Sequence, residues 1–185
     1  MLRKKNIEYV DDATESIFTL LRLRMPPLCI GLVLGILISF LTSRFEQVLS
    51  HNIRIAFFLP FIVYMADAIG TQTQSIYARE LKAKKAKFHL YLIKESAVGL
   101  VLGLFFALIS GFIAHLWLGD DLLALSVGLS MFATVATAPV VAVIITQILQ
   151  ALREDPAAGA GPIATVIQDM ISVVLYGLIC SLVLL

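Results

Sequence analysis

Two carboxylates stand inside long apolar stretches of this 185-residue sequence, and they are its clearest candidates for chemistry. Asp169 interrupts the apolar run that begins at Pro162, and Thr165 lies four residues before it, so an α-helix presents the hydroxyl and the carboxylate on one face. Asp67 opens a polar stretch, Asp67-Ala68-Ile69-Gly70-Thr71-Gln72-Thr73-Gln74-Ser75, that follows Pro60 by seven residues. A carboxylate at membrane depth costs about 2.5–3.5 kcal/mol on insertion scales and marks an ion path or a paired interior site. Ahead of Asp169, the run Asp155-Pro156-Ala157-Ala158-Gly159-Ala160-Gly161-Pro162 joins a turn-forming Asp-Pro to small residues, which brings backbone close to whatever passes. Proline and glycine near Ala68 and Gly70 suggest a discontinuous helix whose freed carbonyls face protein or water. Carbonyls and carboxylates without clustered histidine or cysteine form a hard oxygen site, suited to Mg²⁺ or Ca²⁺ rather than zinc or copper.

If two copies of the chain met on a two-fold axis, paired Asp169 carboxylates would repel unless a cation lay between them. One divalent ion balances two such charges, and Mg²⁺, which gives up water reluctantly, would be held hydrated. Other candidates carry less. Asp120-Asp121 reads as a solvated turn, and Cys29 and Cys180 as lipid-facing or packed thiols at opposite membrane faces. There is no phosphate-cradling glycine loop after a strand, no His-Glu-x-x-His and no nucleophile with a base at readable spacing, so an enzyme is not expected.

The elements that position these residues follow from composition. Hydrophobic residues make up 59% of the chain and charged residues 15%, with a mean hydropathy of +0.94, so an all-α, polytopic membrane protein is predicted. Net charge is +1, which offers no basic footprint for nucleic acid. Five runs approach the roughly 20 residues that cross a hydrocarbon core: Met25 to Ser43, Ile55 to about Tyr77, Ser96 to Gly119, Leu122 to Leu152 and Pro162 to Leu185. The third has His115 as its titratable group. Residues 25–185 thus form the five-helix transmembrane domain and residues 1–24 a cytoplasmic N-terminal segment.

Within that segment Asp12 to Arg24 reads as an amphipathic helix lying on the membrane surface, with Ile17, Leu20, Leu21 and Met25 on one face, stopped by Pro26-Pro27. Arg79 to Lys94 reads as a lysine-rich amphipathic loop against anionic lipid. Lys and Arg number twelve on one side (Arg3, Lys4, Lys5, Arg22, Arg24, Arg79, Lys82, Lys84, Lys85, Lys87, Lys94, Arg153) and two, Arg44 and Arg54, on the other. The N-terminus is therefore expected in the cytoplasm and the C-terminus outside the cell membrane. No cleavable signal is visible, because the first apolar run starts behind a polar segment with Glu8, Asp11, Asp12 and Glu15. Gly31 with Gly35, and Gly99 with Gly103, have the spacing that lets membrane helices approach closely, within a subunit or between subunits. There is no internal repeat, so a polar pathway more naturally forms between two copies of the chain.

The order of these features resembles the transmembrane domain of the MgtE-type magnesium transporters and their eukaryotic relatives, over about Ile17 to Leu185. Arg22, Arg24 and Pro26 resemble the family's junction into the first span, Phe45-Glu46 the pair that closes it, and Leu116-Trp117 the end of the third. Pro60, Gly70, Gln72 and Arg79 are similar to the second-span motif. Asp155-Pro156-Ala157 through Gly161-Pro162, Thr165 and Asp169 match the last-span motif with correct spacing.

The resemblance implies a homodimer, a pore at or near its interface and a hydrated Mg²⁺ held as transported ion at Asp169. It also implies that backbone from Ala68 to Gly70 and at Gly161 lines the same pathway, and that the N-terminal helix sits where the family's gating helix lies. Two departures stand out. Ala66-Asp67-Ala68 replaces Gly-Gly-Asn, which bears on selectivity among Mg²⁺, Mn²⁺, Co²⁺ and Ca²⁺. No room for the family's cytoplasmic sensor precedes Ile17, so such a sensor is expected to be lacking or borrowed from a separate regulatory subunit. Two other readings stay open: a proton- or sodium-coupled carrier with the acids as relays, and a non-transporting membrane subunit whose acids pair with partner helices.

Overall fold

A computed structural model describes residues 16–151 and 161–185. Among these residues the fold is helical throughout, with five helical segments long and apolar enough to cross a membrane. They are α1 (Ile17–Ser43), α3 (Leu59–Lys82), α4 (Phe88–Leu118), α5 (Asp121–Ala151) and α6 (Gly161–Leu184). A short helix α2 (Glu46–His51) and a 3₁₀ turn (Ile53–Phe57) connect α1 to α3. The chain is thus an all-α, polytopic membrane protein. Arg3, Lys4, Lys5, Glu8, Asp11, Asp12, Glu15, Arg153 and the run from Asp155 to Ala160 lie outside the described residues.

Local chemistry sets the helix ends. Ser16 caps α1 by accepting the Thr19 N–H at 3.2 Å. Pro60 stands in the first turn of α3, where its missing N–H costs no helical bond. Gly119 closes α4 in the left-handed region at φ 63°, its N–H reaching the His115 carbonyl at 2.9 Å. One residue on, Asp120 accepts the Leu123 N–H at 3.1 Å, so the turn joining α4 to α5 consists of a C-cap and an N-cap back to back. Asp121, beside it, lies 2.8 Å from the exposed His115, in keeping with a solvated turn.

Helix α5 is the hub, packing against α4, α3 and α6, while α1 packs along α6. Its inward face carries Leu123, Val127, Met131 and Val135, joined in the core by Ile55, Ile62 and Ala66 before and within α3 and by Tyr176 and Cys180 of α6. Three of the buried hydroxyls on α5 return to their own helix: Ser126 donates to the Leu122 carbonyl, Thr134 to that of Ser130 and Thr146 to that of Ala142, each within 2.7–2.8 Å. Self-satisfaction of this kind lets polar side chains occupy a site without water. The Tyr176 hydroxyl donates to the Ile55 carbonyl and ties α6 to the 3₁₀ turn. The outer faces of α1 and α4 expose large apolar side chains, among them Leu32, Val33, Ile36, Val101, Leu108 and Phe112, as a lipid-facing surface requires.

Three sequence expectations change, and one left open is decided. The surface helix expected to end at Pro26-Pro27 is no separate element, because its described part, from Ile17, is the beginning of a continuous α1. The prolines remove bonds to carbonyls four residues back, in the helix's first turns, where Arg22 and Arg24 are placed, and membrane helices tolerate such losses. The stretch from Arg79 to Lys94 is not a loop. Helix α3 persists to Lys82, residues 83–87 make the connection, and α4 starts at Phe88, so Lys94 and Glu95 belong to the third spanning helix, whose far end carries His115. Tyr91 packs against Tyr77, with ring centroids 5.0 Å apart and planes tilted by 53°, and holds this early part of α4 against α3. The polar part of α3 is not discontinuous either, as the next subsection describes. Finally, Gly99 and Gly103 serve contacts within the subunit, since a Cβ at Gly99 would lie 2.7 Å from the Ala136 carbonyl and one at Gly103 3.0 Å from that of Phe132. Gly31 and Gly35 face open space. Of the cysteines, Cys29 is exposed and Cys180 is packed in the core.

Candidate functional site

Asp67, Gly70, Thr71 and Gln74 recur at the spacing of one helix face, and α3 turns that face toward α5 and α6. There it meets Ala164, Thr165 and Gln168 of α6 across a floor of Val141, Ala142 and Ile145 from α5. The result is a narrow cleft with room for about one water molecule. Among the described residues that line it, Asp67 is the one ionisable side chain, and no Lys or Arg stands with it.

Of the residues singled out in the sequence, the cleft thus brings together Asp67, Gly70 and Thr165. Asp169 lies one residue beyond Gln168 on α6, half-buried, and its carboxylate is close enough to that of Asp67 for the two charges to repel. The continuous α6 puts Thr165 and Asp169 one turn apart on the same side. Ala68 is half-buried and does not line the cleft. Gly161 opens α6 eight residues before Asp169, about 12 Å along the axis at 1.5 Å per residue, so it belongs to a different level of any path.

Because α3 is an unbroken helix from Leu59 to Lys82, the carbonyls of Ala68 and Gly70 are not freed by a break. Any cation they met would use a lone pair left over from the helical bond. The polar residues of this stretch find partners on neighbouring helices instead. Thr73, buried, donates to Glu95 of α4 at 2.8 Å, and the Tyr77 hydroxyl donates to Gln147 of α5 at 2.6 Å. Those interhelical bonds let a polar segment remain helical inside the bundle.

Three residues of this region do not stand out in the sequence. Gln168 is 4% exposed, its amide nitrogen 3.4 Å from the Ser172 hydroxyl, while its carbonyl oxygen has no partner among the described residues. Glu95 is a further acid within a spanning helix, masked in the sequence by the lysines before it. Gln147 is a neutral amide. The signal that would have found Gln168 is its place next to Asp169 within an apolar run.

One subunit does not form a cage for a bare metal ion: among the described residues no three His, Cys, Asp or Glu side chains cluster. What two neighbouring acids can do is attract a cation and accept hydrogen bonds from its water shell.

The family profile MgtE, described as "Divalent cation transporter", matches residues 59–179, from the start of α3 into α6. "Magnesium transporter MgtE" of Bacillus subtilis is 28% identical over 156 residues, covering 83% of this chain and 35% of the relative. The proteins of that name from Enterococcus faecalis and Thermus thermophilus are each 28% identical, over 94% and 85% of this chain and 39% and 35% of their own lengths. The chain therefore spans little more than a third of these relatives. By the extent of the profile match, and with its five apolar helices, the chain belongs to the MgtE family of divalent cation transporters.

Proposed function

We propose that this chain forms a homodimeric channel or transporter for divalent cations, Mg²⁺ first, in which a hydrated ion passes between two subunits and is held at the paired Asp169 carboxylates. The observation that carries the reading is the approach of Asp67 to Asp169 in the membrane interior, with no basic side chain among the described residues that line the cleft beside them. Two like charges kept together at that depth call for a mobile cation. The function that the relatives are named for, magnesium transport, points the same way.

Size argues for two copies. An octahedral Mg²⁺ keeps most of its roughly six waters, and a cleft that admits about one water is too small for it. The hydrated ion must then travel along a surface that a second subunit closes. Asp169 acts by Coulomb attraction and by accepting hydrogen bonds from coordinated water, so the ion need not lose its shell. Asp67 adds negative charge one helix away, where it biases the choice among Mg²⁺, Mn²⁺, Co²⁺ and Ca²⁺. The excess of Lys and Arg at one end of the helices orients the N-terminus toward the cytoplasm.

The test is uptake of Mg²⁺ by liposomes containing the purified protein, with Mn²⁺, Co²⁺ and Ca²⁺ in parallel and with no proton or sodium gradient imposed. Uptake of Mg²⁺ under those conditions is expected. Uptake that required a proton or sodium gradient would replace the channel with a coupled carrier, and no uptake of any divalent would make the chain a partner-dependent subunit.

A further inference from the structure

The cleft between α3, α5 and α6 has features that the hydrated divalent ion does not use. It is too narrow for that ion, with room for about one water, yet it is lined by a carboxylate and several neutral oxygens. Gln168 is more than nine-tenths buried, at 4% exposure, and its side-chain carbonyl oxygen is unpartnered. That oxygen sits against Gly70, itself a cleft residue, such that a Cβ added at Gly70 would lie 3.8 Å from it. A buried amide oxygen with no donor loses its hydration without return, and such groups in native proteins have a ligand or a water to explain them.

Charge gives the ligand's class. In the proposed dimer one divalent ion on the axis balances the two Asp169 carboxylates and leaves the two Asp67 carboxylates uncompensated, one in each cleft. Among the described residues lining the cleft, none is cationic. One carboxylate, the Gln168 carbonyl oxygen and the hydroxyls of Thr71 and Thr165 form a site with one formal negative charge. Mg²⁺ resists the dehydration such a small space demands, and Ca²⁺ usually takes about six to eight oxygens. A monovalent cation of Na⁺ size both fits and neutralises.

We propose that each subunit binds one dehydrated monovalent cation, of Na⁺ size, in the cleft between α3, α5 and α6, with Asp67 and Gln168 as its principal ligands. The ion is separate from the transported divalent ion and lowers the cost of keeping Asp67 charged beside Asp169. This inference deepens the proposed transport reading and rests on it for the charge assigned to the axis.

The experiment is thermal unfolding of the purified full chain in detergent, free of divalent ions, in NaCl, KCl or choline chloride at equal ionic strength. Na⁺ should raise the midpoint saturably over choline, by about 3–6 °C at ten times its Kd, and by more than K⁺ does. The Na⁺ shift should vanish in Asp67→Asn and Gln168→Leu and persist in Asp169→Asn. Gly70→Ala should weaken it, because the added methyl group occupies the space before the Gln168 oxygen at ordinary contact distances of 3.7–3.8 Å and leaves the fold intact. That variant decides the matter if Gln168→Leu fails to fold. Equal midpoints in Na⁺ and choline, or an undiminished shift in Asp67→Asn or Gly70→Ala, would overturn the proposal and leave the divalent pathway standing. Loss of Mg²⁺ flux in Asp169→Asn alongside a retained Na⁺ shift would separate the two sites.

Discussion

Asp169 and Asp67 differ in what their loss should do. For Asp169→Asn the charge proposed to hold the hydrated ion disappears while the side-chain volume stays. A hydrogen bond to a charged group is worth about 1.5–3 kcal/mol, so Mg²⁺ binding should weaken by about ten- to a hundredfold, with helicity and unfolding midpoint unchanged. Titration calorimetry with circular dichroism checks both halves of that statement. Asp67→Asn leaves the axial pair in place and should alter the order of preference among Mg²⁺, Mn²⁺, Co²⁺ and Ca²⁺ more than the total flux; an identical selectivity profile would remove Asp67 from the pathway. Both acids were legible in the sequence because a carboxylate within an apolar run has few innocent explanations. Gln168 was not, because a neutral amide shifts neither charge nor hydropathy much, and its significance lies in an unpartnered oxygen that only packing reveals.

Helix packing makes sharper demands on some glycines than on others. A methyl group at Gly99 would meet the Ala136 carbonyl at 2.7 Å, backbone against backbone, so Gly99→Ala must push α4 from α5. Overpacking of this kind costs about 1–3 kcal/mol, and a lower unfolding midpoint in detergent is expected. Gly35→Ala meets nothing within 4 Å and should leave the midpoint unchanged or raise it, since Ala favours a helix over Gly by about 0.5–1 kcal/mol. At Gly177 a Cβ would collide with the Phe45 ring, which explains how the Phe-Glu pair after the first span anchors the connection to α6. The helices themselves were readable where apolar length defined them: α5 and α6 begin and end within a residue of expectation. They were misread where a local signal opposed the tertiary context. Lysines suggested a loop where Tyr91 packs on Tyr77, and Pro26-Pro27 suggested a stop where α1 continues. Polar residues suggested a break in α3, yet Thr73 and Tyr77 find partners on α4 and α5 that no single-segment reading reveals.

At the scale of the whole molecule the five-span fold followed from length and hydropathy, because about 20 apolar residues have few alternatives to a membrane helix. Whether and where copies of the chain meet did not, since lipid-facing and partner-facing surfaces are equally apolar. The proposed two-fold pore makes this question testable. In a Cys29→Ala background, Asp169→Cys on two copies should be joined by a short bis-maleimide, which alkylates one thiol at each end, in membranes, whereas Leu108→Cys, on the exposed outer face of α4, should not. Cross-linking at Leu108 instead would move the interface to α4.

The most direct test of the central claim is the initial rate of Mg²⁺ entry into liposomes containing the wild-type chain beside liposomes containing Asp169→Ala, matched for protein content and orientation. The account predicts Mg²⁺ entry in the wild type and its loss in the variant. Equal entry in both would place the cation path away from Asp169 and contradict it.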